Sequence, residues 1–304
     1  MLSDLLSQTG VQVKQAQADA DALIVSTALS LAESIKPVVV VGTDTDLLVM
    51  LVAQATTDMD LYMLCCKNPT TVYRVHDIQG CIGNTSKYLM ALHAITGCDT
   101  VSALYRQGKC KAFNLVHKKK EYALLDTFMN AASTHQQVQQ AGESFLLKLY
   151  GASSCESLDQ FRYIAYNKAV SRTSLTSSFQ LGTLPPTSAA AKQHSFRTYL
   201  IVQEWMGRPL QPTDWGWKMG DILTPVETDR PIAPDTLLNM ISCGCRADGC
   251  GVSCGCRKMG VHCSALCSKC SGQTCNNAAP MPSLLDDERE TEESTPISDD
   301  EDDD

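Results

Sequence analysis

The stretch VVVVGTDTDLLVMLVA, Val38 to Ala53, sets two aspartates between two of the most apolar segments of the chain. Four β-branched valines closed by Gly42 predict a short strand, and the uncharged run after Asp46 predicts a helix beginning near Leu47. A carboxylate placed between such segments is costly to bury unless a cation or a hydrogen-bond donor compensates it. In an α/β sheet, ligands bind beyond the carboxyl ends of the strands, which is where Asp44 and Asp46 would stand. The alternative is a local one, in which Asp44 or Thr43 caps the following helix.

Working outward, DADALIVSTALSLAES predicts a helix ahead of the strand. Its apolar stripe runs through Ile24, Val25, Ala28 and Ala32, and Asp21 heads the buried face. YMLCC (62–66) and TVYRVHDI (71–78) read as further strands, and TSKYLMALHAIT (85–96) as a helix with Gly97 at its C-terminal cap. This alternation predicts an α/β layer with a largely parallel sheet. Residues 100–178 carry weaker helical signals. A better delimited helix follows Pro185 and Pro186, with Thr187 or Ser188 as cap and Gly207 beyond its last turn. Trp215 and Trp217, in a proline-marked connector, are expected to act as packing anchors.

The formal net charge of −9 is unevenly spread. Residues 286–304 hold twelve Asp or Glu against one Arg, which leaves 24 basic and 22 acidic residues in 1–285, a net of +2. The body of the chain is therefore compatible with a nucleic-acid partner. The first eighteen residues lack a charged segment followed by an apolar core, so no secretory signal is expected. No run reaches the roughly 18 apolar residues of a membrane span. The expectation is an intracellular, nuclear protein.

Three acidic spots share one property. Asp19 and Asp21, Asp44 and Asp46, and Asp99 each stand at the end of an apolar element, with no Lys or Arg within four residues. Asp99 taken alone reads as a helix cap. Together, five such carboxylates would repel one another unless divalent cations sat among them, as in two-metal phosphodiester chemistry. A DxD site of another class, a dehalogenase-type phosphatase or a metal-dependent glycosyltransferase, is the competing reading of DTD.

The order ADAD, GTDTDLL and GCDT, followed by SALYRQGKCKAFNLV, resembles the flap endonuclease/XPG group of PIN-like nucleases over residues 17–120. The resemblance implies an incomplete PIN-like, mostly parallel sheet. It further implies that Asp19, Asp21, Asp44, Asp46 and Asp99 hold one or two magnesium or manganese ions, and that Gly108, Lys109 and Lys111 approach a phosphate backbone, most naturally DNA. The first strand of that group has no counterpart in residues 1–18, whose one acid is Asp4, so weak or lost cleavage is the expectation.

Nine of the fifteen cysteines fall within residues 243–275, spaced C-x-C-x4-C-x3-C-x-C-x6-C-x3-C-x2-C-x4-C. Three tetrahedral zinc ions need twelve thiolate positions, which nine cysteines supply when three of them bridge. The ligands would be Cys243, Cys245, Cys250, Cys254, Cys256, Cys263, Cys267, Cys270 and Cys275. The spacing, with Asn276 and Asn277 after the last cysteine, is similar to the tesmin-type CXC domain, which implies three zinc ions and often DNA binding. Arg246, Arg257, Lys258 and Lys269 are the basic residues of the module, and His262 is a further candidate ligand. The expected layout is a PIN-like domain (1–120), a helical extension and Pro/Trp connector (121–240), a CXC zinc module (241–278) and a disordered acidic tail (279–304). It is similar to that of open reading frames associated with mobile elements in animals. The function expected is nucleic-acid association by a descendant of a metal-dependent nuclease, or by a non-catalytic zinc-dependent DNA- or chromatin-binding protein.

Overall fold

A computed structural model describes residues 2–16, 20–67, 69–172 and 181–230, and within 243–278 all but 246–248, 259, 264–266, 269 and 273. Asp19, Arg246, Lys269 and the acidic tail at 279–304 lie outside the described residues. The chain divides into two units, Met1–Arg230 and Pro231–Asp304.

In the first unit, helix α1 (Leu2–Gln8) has no buried residue. Helix α2 (Asp21–Ala32) buries Val25, Ala28 and Ala32 of the predicted stripe, whereas Ile24, also expected on that face, is exposed. Strand β1 (Val38–Val41) leads into α3 (Thr45–Gln54), whose buried positions include Leu47, Val49, Met50, Leu51 and Val52. Met50 and Leu51 are completely enclosed, and burial of one such side chain contributes about 1.5–3 kcal/mol.

Strands β2 (Leu61–Cys65) and β3 (Thr71–Arg74) complete a sheet in the order β1-β2-β3. β1 pairs with β2 in parallel, Val38 opposite Leu61. β2 pairs with β3 antiparallel, Tyr62 opposite Arg74. A largely parallel sheet is therefore not what forms. Only five residues separate Cys65 from Thr71, too few for the crossover a parallel partner needs, so the chain turns back as a hairpin. The four valines do not all face inward: Val40 is buried, while Val39 and Val41, with Val72 of β3, are exposed.

The segment read as one strand at 71–78 breaks after Arg74 into helix α4 (Val75–Ile82). Val75, Ile78 and Ile82 recur at helical spacing and pack in or against the core. A 3-10 turn (Gly83–Tyr88) joins α4 to α5 (Leu89–Thr96), which is buried along nearly its whole length and ends at Gly97.

Helices α6 (Lys109–Lys119), α7 (Ala123–Met129), α8 (His135–Tyr150) and α9 (Leu158–Arg172) follow. Thr134 and Gln137 form a reciprocal capping box at the start of α8. Helix α10 (Ser188–Trp205) begins where predicted, with the Thr187 hydroxyl accepting the Ala190 N–H at 3.1 Å. It crosses α8 closely: a Cβ on Gly142 would lie 1.8 Å from Ser195 Oγ. The apolar core is continuous from Val25 to Trp215 and passes without interruption across residue 120. Trp215 is buried, stacked on His135 at 4.2 Å between ring centres, and Trp217 opens a small hairpin of β4 (Trp217–Met219) and β5 (Leu223–Pro225). Helices make up about half of the described residues. Among the described residues, no helix is long and apolar enough to cross a membrane.

Candidate functional site

The compensation of Asp44 and Asp46 is local for one and distant for the other. Asp44 is exposed and caps α3, its Oδ1 accepting the Asp46 N–H at 3.0 Å. Asp46 is buried, and its Oδ1 lies 2.7 Å from Nε2 of His93 on α5. The other ring nitrogen of His93, Nδ1, is 3.0 Å from Nζ of Lys109, which also donates to the Gly97 carbonyl at 2.6 Å. An ammonium only donates, so Nδ1 accepts and Nε2–H donates to Asp46; the tautomer follows from the partners. Gly97 has φ +116°, and a Cβ there would lie 2.8 Å from the Ala103 backbone, so a glycine is needed to present this carbonyl.

Lys109 belongs to the exposed residues, yet its ammonium is turned inward. Partial burial lowers its pKa, opposed by the nearby Cys98 and Asp46. It lines an open cleft of about 400 Å³ between α5 and α6, whose walls include Leu89, Leu92, His93, Thr96 and Phe113.

The other residues of the predicted carboxylate set stand differently. Asp21 is half-buried at the first turn of α2, and Asp99 is exposed in the turn between Cys98 and Val101. Among the described residues, the groups of side chains close enough to share a metal ion consist of cysteines alone. Gly108 caps α6 without a side-chain bond, and Lys111 donates to Gln107 Oε1 at 2.6 Å. Arg106, Lys111, Lys118, Lys119 and Lys120 are all exposed, and Val101–Lys120 contains no acid. Sequence reasoning missed His93. Its signal was present, since it is the one ionisable residue within the apolar helix Leu89–Thr96.

The second unit gathers its thiols around a common centre. Cys243, Cys250, Cys254 and Cys263 form one four-thiol group; Cys243, Cys263, Cys267 and Cys270 a second; Cys250, Cys263, Cys270 and Cys275 a third. Within each group the sulfurs lie within 4.8 Å of one another. Neighbouring pairs, such as Cys243 with Cys250 at 3.6 Å and Cys254 with Cys263 at 3.8 Å, match the roughly 3.8 Å edge of a tetrahedron with Zn–S of about 2.3 Å. Cys256 joins the cluster through Cys267 at 3.5 Å, and Cys245 through Cys243 and Cys254. Among the described residues, no disulfide links the cysteines.

Cys263 belongs to all three groups. Asn277 fixes it: the Cys263 N–H donates to the Asn277 carbonyl at 2.8 Å, while Asn277 Nδ2 donates to Val261 O at 2.9 Å and lies 3.5 Å from the Cys263 sulfur. Burial among other thiols pushes Cys250 and Cys263 up, and Cys256 up to about 12, because neighbouring thiolates cannot all ionise in one apolar space. Cys254 is lowered to about 6, chiefly by the backbone N–H of Arg257 in the helical turn Gly255–Lys258. Thiols packed in this way are accommodated as thiolates when cations sit among them, so the cluster is a metal-binding arrangement suited to zinc. His262 is exposed and outside the thiol groups.

Comparison of the chain with models of known families, with curated proteins and with solved structures finds no match in any of the three.

Proposed function

We propose that this chain is a zinc-dependent, nucleic-acid-associated protein derived from a metal-dependent nuclease, in which cleavage is weak or lost. The observation that carries the reading is the surface around α6. Twenty residues, Val101–Lys120, hold six basic side chains and no acid, and Arg106, Lys111, Lys118, Lys119 and Lys120 among them are exposed. A polyanion binding there would release counterions, the main source of sequence-independent affinity for nucleic acid. The segment is also the one that the nuclease resemblance assigns to backbone contact, with Gly108, Lys109 and Lys111 at its start; Gly108 and Lys111 suit that role, while the Lys109 ammonium is engaged by the Gly97 carbonyl instead.

The pairing of Asp46 with His93 supports the weak-or-lost version. A carboxylate already held by an imidazole at 2.7 Å has less to offer a magnesium ion, and Asp44 is engaged as a helix cap. Three zinc ions with bridging sulfurs are our reading of the thiol cluster, prompted by four-thiol groups that share members. A CXC-type module of this kind would bring basic residues of its own, Arg257 and Lys258, and a nuclear location would suit it.

The test is fluorescence anisotropy of the zinc-loaded full chain with labelled duplex and flapped DNA across a salt series. The expected result is binding that weakens steeply with salt and falls when Lys118, Lys119 and Lys120 become Glu, with each lost phosphate contact reducing the salt slope by about 0.9. Absence of binding at low salt, or binding indifferent to the triple substitution, would overturn the reading. Magnesium-dependent cleavage of the flapped substrate that disappears in Asp46→Asn would restore an active nuclease.

A further inference from the structure

Three side chains from three helices form a line at the wall of the α5–α6 cleft: Lys109 Nζ, then His93 Nδ1 at 3.0 Å, then Asp46 Oδ1 at 2.7 Å from His93 Nε2. A nucleophile within hydrogen-bond reach of a base, the base oriented by a buried acid, is the arrangement by which weak nucleophiles are activated. Here the position of the nucleophile is held by an amine. We propose that Lys109 is an amine nucleophile that forms a Schiff base with an aldehyde or ketone lodged in the apolar cleft, with His93 as the base that takes its proton and Asp46 as the positioning residue behind it.

The chemistry balances without any oxidant or metal. The Lys109 ammonium gives one proton to His93 Nδ1, and the resulting imidazolium is stabilised by the Asp46 carboxylate at Nε2. The free amine attacks the carbonyl carbon to give a carbinolamine. The proton returned by His93 leaves with the hydroxyl as water, and a C=N bond replaces C=O. Leu89, Leu92 and Phe113 select a carbonyl compound with an apolar body, and they lower the water activity that would reverse the imine. Partial burial, the largest influence on Lys109, favours its neutral form in the same direction. Lys111 and Lys118 of the same helix are exposed, so they serve as internal references.

The inference does not depend on nucleic-acid binding. Yet the basic surface beside the cleft admits two sources of the carbonyl, a free apolar aldehyde or the aldehyde of an abasic site in DNA. The test therefore treats the full chain with limiting hexanal and sodium cyanoborohydride, and in parallel with an oligonucleotide bearing one abasic site and the same reductant. Peptide mass mapping then locates the reduced adducts. Lys109 is expected to be alkylated about a hundredfold faster than Lys111 or Lys118, the low end of what a positioned base contributes. His93→Gln and Asp46→Asn should slow labelling at Lys109 and leave Lys111 unchanged, a pattern that general loosening of the fold would not give. Adducts at Lys109 from hexanal alone assign the site to free carbonyl compounds, whereas an oligonucleotide crosslink at Lys109 assigns it to nucleic acid. Labelling of Lys109 at or below the rate of Lys111 in the unsubstituted protein overturns the proposal, whatever the variants do.

Discussion

Asp46 and His93 lie 47 positions apart in sequence and 2.7 Å apart in space, and their contact ties α3 to α5 through an almost fully buried pair. The aspartate that interrupts the most apolar stretch of the chain is thus compensated by a side chain, with Lys109 closing the line. Removing one partner leaves the other buried without its match. Asp46→Ala is expected to cost about 3 kcal/mol in urea denaturation, and His93→Ala a similar amount. The double variant should cost clearly less than the sum, because the second loss no longer strands a partner. Added magnesium should leave the melting temperature of the unsubstituted protein nearly unchanged, whereas an ion at a hundred times its Kd would add about 2.7 kcal/mol. A large upward shift with magnesium would show that the carboxylate retains a metal role.

If the thiol cluster holds zinc, its cysteines differ in rank. Purified protein is expected to carry about three zinc ions per chain by elemental analysis under reducing conditions. Cys263, shared by all three four-thiol groups, should be the least replaceable: Cys263→Ser should release most of the metal, while Cys245→Ser should release less. Asn277→Ala removes the amide that holds the Cys263 loop and should weaken zinc retention against a chelator by about 10- to 100-fold, as outer-shell substitutions commonly do. One zinc per chain, or equal effects at Cys245 and Cys263, would remove the case for a shared-sulfur cluster.

How much of this was legible beforehand depended on how local the physics was. Three of the four α2 stripe residues, the Thr187 cap and the burial of Trp215 each follow from a few neighbouring residues, and the sequence pattern named them; Ile24, the fourth, is exposed. The hairpin between β2 and β3 was also readable, because five residues cannot carry a crossover, yet the alternation of apolar segments drew the reading toward a parallel sheet. The break after Arg74 was hidden by Val75 and Ile78, which suit a strand or a helix equally over so short a window. His93 could not be paired with Asp46 from sequence, since nothing local couples residues on two helices 47 positions apart. The thiol cluster was legible from spacing alone, because four-coordinate metal sites constrain the distance between ligands so tightly.

The crossing of α8 and α10 rests on the absence of a side chain at Gly142. A methyl group there would meet Ser195, which is itself fully buried and donates to the Ala191 carbonyl at 2.7 Å. Gly142→Ala is therefore expected to destabilise the first unit by about 1–3 kcal/mol despite the better helix propensity of alanine, because the helices must part to admit it. Ser195→Gly, made in the same chain, should recover part of the loss by vacating the space. Recovery of nothing, or a Gly142→Ala variant as stable as the parent, would mean that the helices approach less closely than 1.8 Å from a notional Cβ implies.

Acid sensitivity should report on His194. This imidazole is buried on α10 with Nε2 at 2.8 Å from the Ile95 carbonyl, and burial holds its pKa down to about 4 from an ordinary 6.5, with Arg197 pushing the same way and the carbonyl opposing. The folded value is depressed, so between pH 6.5 and 4 the unfolded chain binds a proton that the native chain does not. The stability tied to a neutral His194 is then fully present above 6.5 and is lost as the pH falls, reaching about 3 kcal/mol near pH 4. Carboxylates titrate in part of the same window, so the measurement is a difference. Urea midpoints of the parent and of His194→Gln, which keeps a donor for the Ile95 carbonyl but cannot take up a proton, should diverge as the pH is lowered from 7 to 4. The parent should lose stability faster. Parallel curves over that range would show that His194 is protonated without disturbing the core, and that the packing of α10 against α5 is looser than its burial suggests.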